Sequence, residues 1–480
     1  MIDLEIKKGI VMSSKYEYIN LISLSFFCNI LVFSLYSKSP NTKPLITKQA
    51  QIGSEEAPRS IKQYKQKEWN FIVYMAANNN LFRYALHNFK QLLRIGSTPF
   101  VNIILQIDEY GETEVTRFLI QKNNAVIQDK ISNALESISG TKESLFDFIE
   151  WAITNYPAKH QAIVLWNHGS GIKDPDIWGR LFTNHRNELF LLNDKTGLFE
   201  INRYSFQKLL RRGIAFNETH ETYINNQDLR ECLDRISTEV LDGKKIDIVF
   251  MDACHMAMIE YASKLQSSTH FMVASQEIEP AAGYNYTRLL EPFLSQSLSA
   301  LEFVTHAVSS YAQEYHLSFA DFTQSAVNLE NIECIEEALS LLVQNVMTLL
   351  ETDTTYEAMI KKIRKSKNRT TEFFDNDYID LHHFLTSLKV KIEENNGRCI
   401  PDQNRELTDS VLQSISACVE IMQNNIVANS TGFNLPNAQG LSIYFPRKSI
   451  HRSYLKTTFA RKTNWVEFIS LFHKKSRNFF

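Results

Sequence analysis

Between about residues 69 and 297, short apolar runs alternate with segments whose apolar residues recur at helical spacing. Each run has the length of one strand, and many of its residues are β-branched, which favours extended structure. Residues 246–251 are apolar except for Asp247, as is typical of a central parallel strand buried on both faces. Strands joined through helices by right-handed crossovers form parallel sheets. The pattern therefore predicts an α/β fold, with a mostly parallel sheet flanked by helices.

The same pattern places the individual elements of this region. Strands are predicted within residues 70–81, 100–108, 114–121, 161–171, 246–251 and 270–277. Helices are predicted up to about Arg94 and over residues 144–156 and 226–241, the last one capped by Asn225 or Asn226. Residues 172–222 are polar and basic without a long apolar period, so we expect an inserted surface segment there.

From residue 298 onward, helical spacing dominates. Helices are predicted over residues 301–315, 331–351, 378–391 and 409–427. Two extended segments, 323–329 and 440–446, interrupt them, and the second is expected to close or flank the sheet. We therefore divide the folded chain into an α/β domain, 68–297, and a mainly helical C-terminal region, 298–480, with a returning strand near 440–446.

The N-terminal residues carry the features of an export signal. Residues 21–36 are uncharged and largely apolar, Lys7, Lys8 and Lys15 precede them, and Pro40 follows. This predicts a signal peptide or N-terminal anchor over residues 1–40, with a buried helix as the alternative. Residues 41–67 have no apolar period and read as a linker or propeptide. We expect an exported bacterial protein that is secreted, periplasmic or membrane-anchored and meets a membrane only through this segment.

Two predicted strands end in residues that could do chemistry. Cys254 follows the strand at 246–251, and His168 follows the strand that begins at Gln161. Open α/β sheets place their active sites at the carboxyl ends of such strands. A helix beginning at Cys254 would favour the thiolate, and a nearby His168 could act as the general acid. Gly169 would let the backbone come close to a substrate, so its amide and that of Cys254 could bind an oxyanion.

Each of these residues also has a simpler interpretation. A cysteine at the end of a buried strand can be a small core residue, and a lone histidine can be a structural one. His255 is expected to be a turn residue. A metal site built from His168, Cys254 and His255 would lack a fourth ligand, so none is predicted.

The composition argues against several classes of function. The net charge is −3, and no basic stripe is interleaved with aromatic residues, which argues against nucleic acid as a partner. The six cysteines show no CxxC spacing and give no zinc motif, whereas a structural disulfide stays open.

Six sequence blocks resemble the clostripain family of cysteine peptidases, which shares a clan with caspases, legumains and gingipains. They occur in family order from about Trp69 to Pro446. The blocks are WNFIVYMAANNNL, YPAKHQAIVLWNHGSG, RGIAF, IDIVFMDACHMAMIEYA, VASQEIEPAAGYNY and GLSIYFP. The resemblance implies a caspase-like fold and a cysteine endopeptidase that acts on proteins or peptides. It also implies His168 as catalytic histidine, Cys254 as nucleophile, and the amides of Gly169 and Cys254 as oxyanion hole.

The resemblance further implies a specificity pocket for a basic residue. Asp252 matches the family's acidic residue that receives Arg or Lys at P1, the residue before the cleaved bond. Ser275 and Glu277 are expected to line the same pocket, and Glu279 borders it. Binding of backbone amides at the strand end is the alternative role for Asp252. The same dyad with another P1 preference, such as Asp or Asn, and an inactive scaffold that binds a protein partner are the rival functions.

The family is often matured by a cut between its His and Cys strands. The basic residues available here include Lys173, Arg180, Arg186, Lys195, Arg203, Arg211 and Arg212. Three departures from the family pattern stand out: His255 replaces an apolar residue, Asn217 a common Asp, and Ala281 a usual Gly. They leave calcium binding open, although no EF-hand-like ligand series is present and the chemistry requires no cofactor. The sequence does not define the oligomeric state.

Overall fold

The computed structural model describes most of the chain after residue 64. The described residues are 65–112, 114–132, 138–173, 190–193, 198–201, 214–352, 354–365, 370–396 and 405–477. The predicted signal segment 1–40, nearly all of the predicted linker 41–67 and most of the predicted insertion 172–222 lie outside them. Those three predictions therefore stay predictions.

A nine-stranded sheet forms the centre of the described structure. Its order is β14-β12-β11-β10-β5-β1-β2-β3-β4. The five strands from β11 to β2 are parallel, and two antiparallel strands extend the sheet at each edge. These strands are β1 Lys67–Ala77, β2 Val101–Glu109, β3 Glu114–Gln121, β4 Asn124–Ser132, β5 Ala158–Trp166, β10 Ile246–Asp252, β11 Thr269–Ala274, β12 Thr323–Asn328 and β14 Ile426–Thr431.

Three small two-stranded sheets accompany the central one. They pair β6 Phe190–Asn193 with β7 Leu198–Ile201, β8 Ile214–Asn217 with β9 Thr222–Ile224, and β13 Tyr378–Asp380 with β15 Ser442–Tyr444. The last pair refines one expectation and corrects another. The segment 440–446 does not close the central sheet: its strand pairs with β13, and the amide of Ser442 donates to the Ala257 carbonyl, shortly after β10, at 2.9 Å. The predicted helix 378–391 begins as a strand, because Tyr378–Asp380 pair with β15.

Helices cover the sheet and build most of the C-terminal region. They are α1 Phe82–Ile95, α2 Lys142–Asn155, α3 Asn226–Arg235, α4 Ile259–Leu265, α5 Tyr286–Leu290, α6 Ala300–Tyr315, α7 Ile332–Thr352, α8 Thr354–Lys365, α9 Leu381–Asn396, α10 Arg405–Asn425, α11 Thr458–Lys462 and α12 Trp465–Arg477. Helix α3 continues as a π-helix, Ile236–Val240, and the Asn225 side chain accepts hydrogen bonds from the amides of Gln227 and Asp228 at its start. The prediction of a capped helix over 226–241 is therefore confirmed.

The central strands are buried because helices lie on both faces of the sheet. β2 is buried at every position, and β10 is buried at every position except Asp247. This is the burial that a continuous apolar run predicts for a parallel strand. Strands β12 and β14, which come from the C-terminal region, pair into the same sheet. The fold is thus the predicted α/β architecture, with a mixed, mostly parallel sheet and a set of C-terminal helices.

Two properties of the described chain bear on the remaining expectations. Four of its cysteines, Cys232, Cys254, Cys334 and Cys418, are free thiols. Within residues 65–477, none of the described helices is both long and apolar enough to cross a membrane.

Candidate active site

The register of two neighbouring strands brings Cys254 and His168 to one edge of the sheet. Strands β5 and β10 run parallel, and Trp166 pairs with Asp252 at their carboxyl ends. His168 and Cys254 each follow these paired residues by two positions, and the amide of Asn167 donates to the Asp252 carbonyl at 3.2 Å. Both side chains line the same cavity. Its lining consists of Leu81, Trp166, Asn167, His168, Asp252, Ala253, Cys254, Glu279, Pro280, Ala281 and Gly283.

The residue after Cys254 turns the chain, and the helix begins later than we expected. Helix α4 starts at Ile259, so the expected helix start at Cys254 is wrong. His255 has a positive φ of 60°, and its backbone amide and ring Nδ1 contact the carbonyls of Glu277 and Gln276 at 3.1 and 3.0 Å. His255 is therefore a buried turn residue. Without a helix start at Cys254, the expected helix-dipole contribution to the thiolate is lost as well.

The surroundings of the two side chains favour their neutral forms. Burial raises the pKa of the Cys254 thiol to about 12, and the nearby carboxyl of Glu279 adds to the shift. Burial lowers the pKa of the His168 imidazole to about 3. The amide of Glu279 donates to Cys254 Sγ at 3.2 Å, which opposes the thiol shift only in part. At neutral pH these shifts favour a thiol at Cys254 and a neutral imidazole at His168.

Gly169 packs against the backbone of Cys254. A Cβ at position 169 would overlap the Cys254 carbonyl oxygen and would stand 3.0 Å from its amide nitrogen. Any side chain at this position would therefore push the two strand ends apart. The contact explains on steric grounds why a glycine follows His168, and it places the backbones of both expected oxyanion donors together.

A second part of the cavity is acidic. Asp252 is 4% exposed, accepts a hydrogen bond from the Tyr286 hydroxyl at 2.7 Å, and accepts another from the Tyr284 amide at 3.3 Å. Gly283, with a φ of +57°, lies so close to the Asp252 carboxylate that a Cβ there would overlap it. Burial raises the pKa of Asp252 to about 6.

Glu279 supplies a second carboxyl group to the acidic part. It is 5% exposed, and its Oε1 accepts no hydrogen bond from the described residues. Burial and the neighbouring Asp252 raise the pKa of Glu279 well above its usual range. A buried carboxyl oxygen without a donor is costly unless a ligand supplies one. Glu279 therefore belongs with Asp252 in any account of the pocket.

Ser275 and Glu277, which we expected to line the pocket, are not among the residues of the cavity. The Ser275 hydroxyl contacts the Thr323 hydroxyl at 2.9 Å. The Glu277 carboxylate accepts hydrogen bonds from the amides of Ile278 and Phe374 at 2.7 and 2.9 Å. Both side chains satisfy buried polar groups of neighbouring loops, which is why they are turned to those loops.

One contact of the histidine was missed at the sequence level. His168 Nε2 lies 2.7 Å from Oδ1 of Asn80, in the turn after β1. β1 is the neighbour of β5 in the sheet, so its carboxyl end lies at the same edge. The sequence feature that could have indicated this contact is the run of three asparagines, residues 78–80, at that strand end.

A search against protein families decides the assignment of the chain. The profile of the clostripain family matches residues 73–183 and 202–471. The chain belongs to the clostripain family. It is accordingly a clostripain-like cysteine peptidase, whose substrates are proteins or peptides. No curated protein sequence is significantly similar to it.

Solved structures agree with the fold of this clostripain-family peptidase. One is a secreted C11 cysteine protease from Bacteroides thetaiotaomicron in complex with an irreversible peptide inhibitor; it is 15% identical, with a TM-score of 0.55, and the match covers 83% of this chain and 99% of that one. Another is an inactive zymogen C11 protease from Parabacteroides distasonis; it is 16% identical, with a TM-score of 0.53, and the coverage is again 83% and 99%. At these identities the likeness establishes the fold.

One of the basic residues considered for maturation is buried in this peptidase. Lys173 is 5% exposed, and its amine forms ion pairs with Asp375 at 3.0 Å and Asp377 at 2.6 Å. A buried and paired side chain cannot enter a P1 pocket while the protein stays folded. Among the seven basic residues named above, Lys173 is therefore unsuited to be the site of the cut. The other six lie outside the described residues.

Asn217 is one of the departures from the family pattern, and the residues around it do not form a calcium-binding site. Asn217 Nδ2 donates to Asp108 Oδ2 at 2.7 Å, and Ser139 and Asn78 also donate to this carboxylate. A calcium ion needs six to eight oxygen ligands, often from several carboxylates. The one carboxylate here is already paired with hydrogen-bond donors, so this cluster does not fit the ion. Across the described chain, no group of three or more His, Cys, Asp or Glu residues could hold a metal.

Proposed function

We propose that the chain is an endopeptidase in which Cys254 is the nucleophile and His168 the general acid and base. The observation that carries the proposal is the register of β5 and β10, which places both residues two positions past a paired strand end. Their side chains line one cavity, which a substrate carbonyl would have to enter. The thiol and imidazole, together with the local amides, supply every group that acyl transfer needs, so the chemistry requires no cofactor.

The proposed reaction has two halves. Cys254 transfers its proton to His168 as the sulfur attacks the substrate carbonyl carbon, and the amides of Gly169 and Cys254 bind the oxyanion. The C–N bond then breaks, the leaving amine takes the proton from His168, and a thioester remains. Water gives a proton to His168 and attacks the thioester carbon. The C–S bond breaks, and the sulfur recovers its proton.

We propose Arg or Lys as the P1 residue, because two buried carboxyl groups line the cavity beside Cys254. A guanidinium or ammonium would pair with the Asp252 carboxylate and supply a donor to Glu279 Oε1. It would also favour release of the proton from Glu279, whose pKa burial raises. An Asp or Glu side chain at P1 would add a third acidic group to the pocket, which like-charge repulsion disfavours.

A panel of fluorogenic peptides that differ only at P1 tests this function. Peptides ending in Arg and Lys should be cleaved at least about 100-fold faster than those ending in Asn or Asp, since one buried charge pair is worth several kcal/mol. A preference for Asn or Asp would retain the dyad but refute the basic pocket. No turnover of any peptide, together with no alkylation of Cys254, would instead favour a scaffold that binds a protein partner.

We propose further that the peptidase cuts itself within the insertion, residues 172–222. Purified wild type should then show two fragments on a denaturing gel, and the second fragment should begin after one of the basic residues between Arg180 and Arg212. Cys254→Ala should remain one chain. Addition of a trace of active wild type to Cys254→Ala separates cutting between molecules from cutting within one molecule. A wild type that stays intact while it cleaves peptides would rule out self-processing.

Export is the last element of the proposal. The basic and apolar pattern of residues 1–40 supports it, and one of the similar structures is described as a secreted protease. N-terminal sequencing of the mature protein distinguishes a cleaved signal from a retained anchor.

A further inference from the structure

We propose that Asn80 is a positioning residue that holds the ring of His168 and fixes its tautomer. The inference rests on the function proposed above and extends the dyad by a third side chain. Oδ1 of Asn80 lies 2.7 Å from His168 Nε2. An amide Oδ1 accepts hydrogen bonds and cannot donate them, so the ring proton must reside on Nε2. Nδ1 then remains as the ring nitrogen that exchanges protons with the thiol and the leaving amine.

The position of Asn80 is set independently of His168. Its neighbour Asn79 donates to the carbonyls of Ala76 and Phe216 at 2.9 and 2.8 Å, and its Oδ1 accepts from the amide of Leu81 at 2.9 Å. Asn78 donates to Asp108 at 3.0 Å. These hydrogen bonds connect the turn after β1 to Phe216 and to Asp108, which lie in two other strands. Asn80 therefore stands in a turn that other contacts already hold.

The turn that carries His168 is fastened to the same groups. Asn167 donates to the Ala76 carbonyl, and to the Phe216 carbonyl at 3.1 Å, and it accepts from the Phe216 amide at 2.9 Å. Ala76 and Phe216 are thus bonded to both turns. The distance between Asn80 and His168 follows from this shared attachment, and rigid attachment is what a positioning contact requires.

Asn80 also influences the charge that the ring takes up during the reaction. Burial lowers the pKa of His168 to about 3, so the imidazolium that forms during attack is costly. The neutral Asn80 oxygen accepts a stronger hydrogen bond from the charged ring than from the neutral ring. It thereby stabilises the protonated ring without keeping it charged in the resting protein. A carboxylate in its place would stabilise the charged ring more and raise its pKa.

The test compares wild type with Asn80→Ala, Asn80→Asp and the exposed control Asn155→Ala, with the best peptide of the panel and over pH 2.5 to 9, a range that includes the pKa of about 3 to which burial lowers His168. Asn80→Ala should lower kcat about 10- to 100-fold with KM nearly unchanged, which is within the range of general acid–base effects. Asn80→Asp, which is nearly isosteric, should regain activity relative to Asn80→Ala and move the acid limb of its pH profile upward by about one unit or more. Asn155→Ala should match wild type.

A second measurement does not depend on turnover. In protein labelled with ¹⁵N-histidine, the His168 signals are assigned by comparison with His168→Gln, and their shifts report which nitrogen carries the proton. Wild type should show the proton on Nε2, and Asn80→Ala should show a mixture. A wild-type proton on Nδ1 would overturn the inference, as would an Asn80→Asp pH profile that superimposes on wild type. If neither wild type nor any variant cleaves peptides, the proposed function is rejected. The tautomer measurement then still tests whether Asn80 fixes the ring proton of His168.

Discussion

Cys254→Ala is expected to lower kcat/KM by at least about 10⁴-fold, because removal of a nucleophile leaves only binding and oxyanion stabilisation. The site offers no substitute: Cys254 is the cysteine that lines the cavity beside His168, and its sulfur is the atom that the Glu279 amide contacts. Steady-state cleavage of an Arg-ending peptide measures the effect. His168→Gln should cause a loss of similar size, since residues that act as a unit are not additive.

The matched control for the nucleophile is Cys334→Ala. Cys334 is also a free, partly exposed thiol, but it belongs to the C-terminal half of the chain. Cys334 lies in the first turn of helix α7, and its removal should leave kcat/KM within about twofold of wild type. Thermal unfolding of both variants excludes loss of fold as the cause. Substantial turnover by a folded Cys254→Ala would contradict the assignment.

Asp252→Asn is expected to lower kcat/KM for Arg- and Lys-ending peptides by about 10²- to 10³-fold. The change removes a negative charge that is buried, and a buried charge pair contributes far more than an exposed one. The Asn side chain can still accept hydrogen bonds from the Tyr286 hydroxyl and the Tyr284 amide, so the loop should keep its position. Glu279→Gln should lower the cleavage of the same peptides less, since burial and the neighbouring Asp252 raise the pKa of Glu279 and disfavour its charged form.

Thiol labelling separates specificity from chemistry in this variant. Asp252→Asn should be alkylated by iodoacetamide at a rate similar to or higher than wild type, because a nearby negative charge opposes thiolate formation at Cys254. Asp409→Asn, an exposed change near the start of helix α10, serves as the matched control and should keep the wild-type rate. Equal activity of Asp252→Asn and wild type on Arg-ending peptides would refute the pocket.

The strands that hold the site could be read from the sequence because they are buried on both faces. A run such as residues 246–251, apolar except for Asp247, leaves no polar face for solvent, and the polar residue that follows it marks the edge of the sheet. The glycine at position 169 was expected to let the backbone approach a substrate, and the structure gives it a further reason, namely close packing against the Cys254 backbone. Local features placed His168 and Cys254 at the carboxyl ends of two strands, and the family resemblance joined them as a dyad.

Features that depend on tertiary contacts were not predictable in the same way. Edge strands β4 and β14 are rich in polar residues, so their composition gave no strand signal, and only pairing with a neighbour makes them extended. The late start of α4 follows from the turn at His255, which is stabilised by carbonyls of a distant loop. Glu277 and Glu279 are two residues apart in the sequence. Which of the two side chains reaches the cavity depends on contacts with the surrounding loops.

The central claim is that Cys254 attacks a substrate bound with its basic side chain near Asp252. Inactivation by a peptide chloromethyl ketone ending in Arg, followed by peptide mapping in the mass spectrometer, tests it most directly. The account predicts one adduct per chain on Cys254, formed in proportion to the loss of activity and slowed in Asp252→Asn. Inactivation with Cys254 unmodified, or with the adduct on another residue, would contradict it.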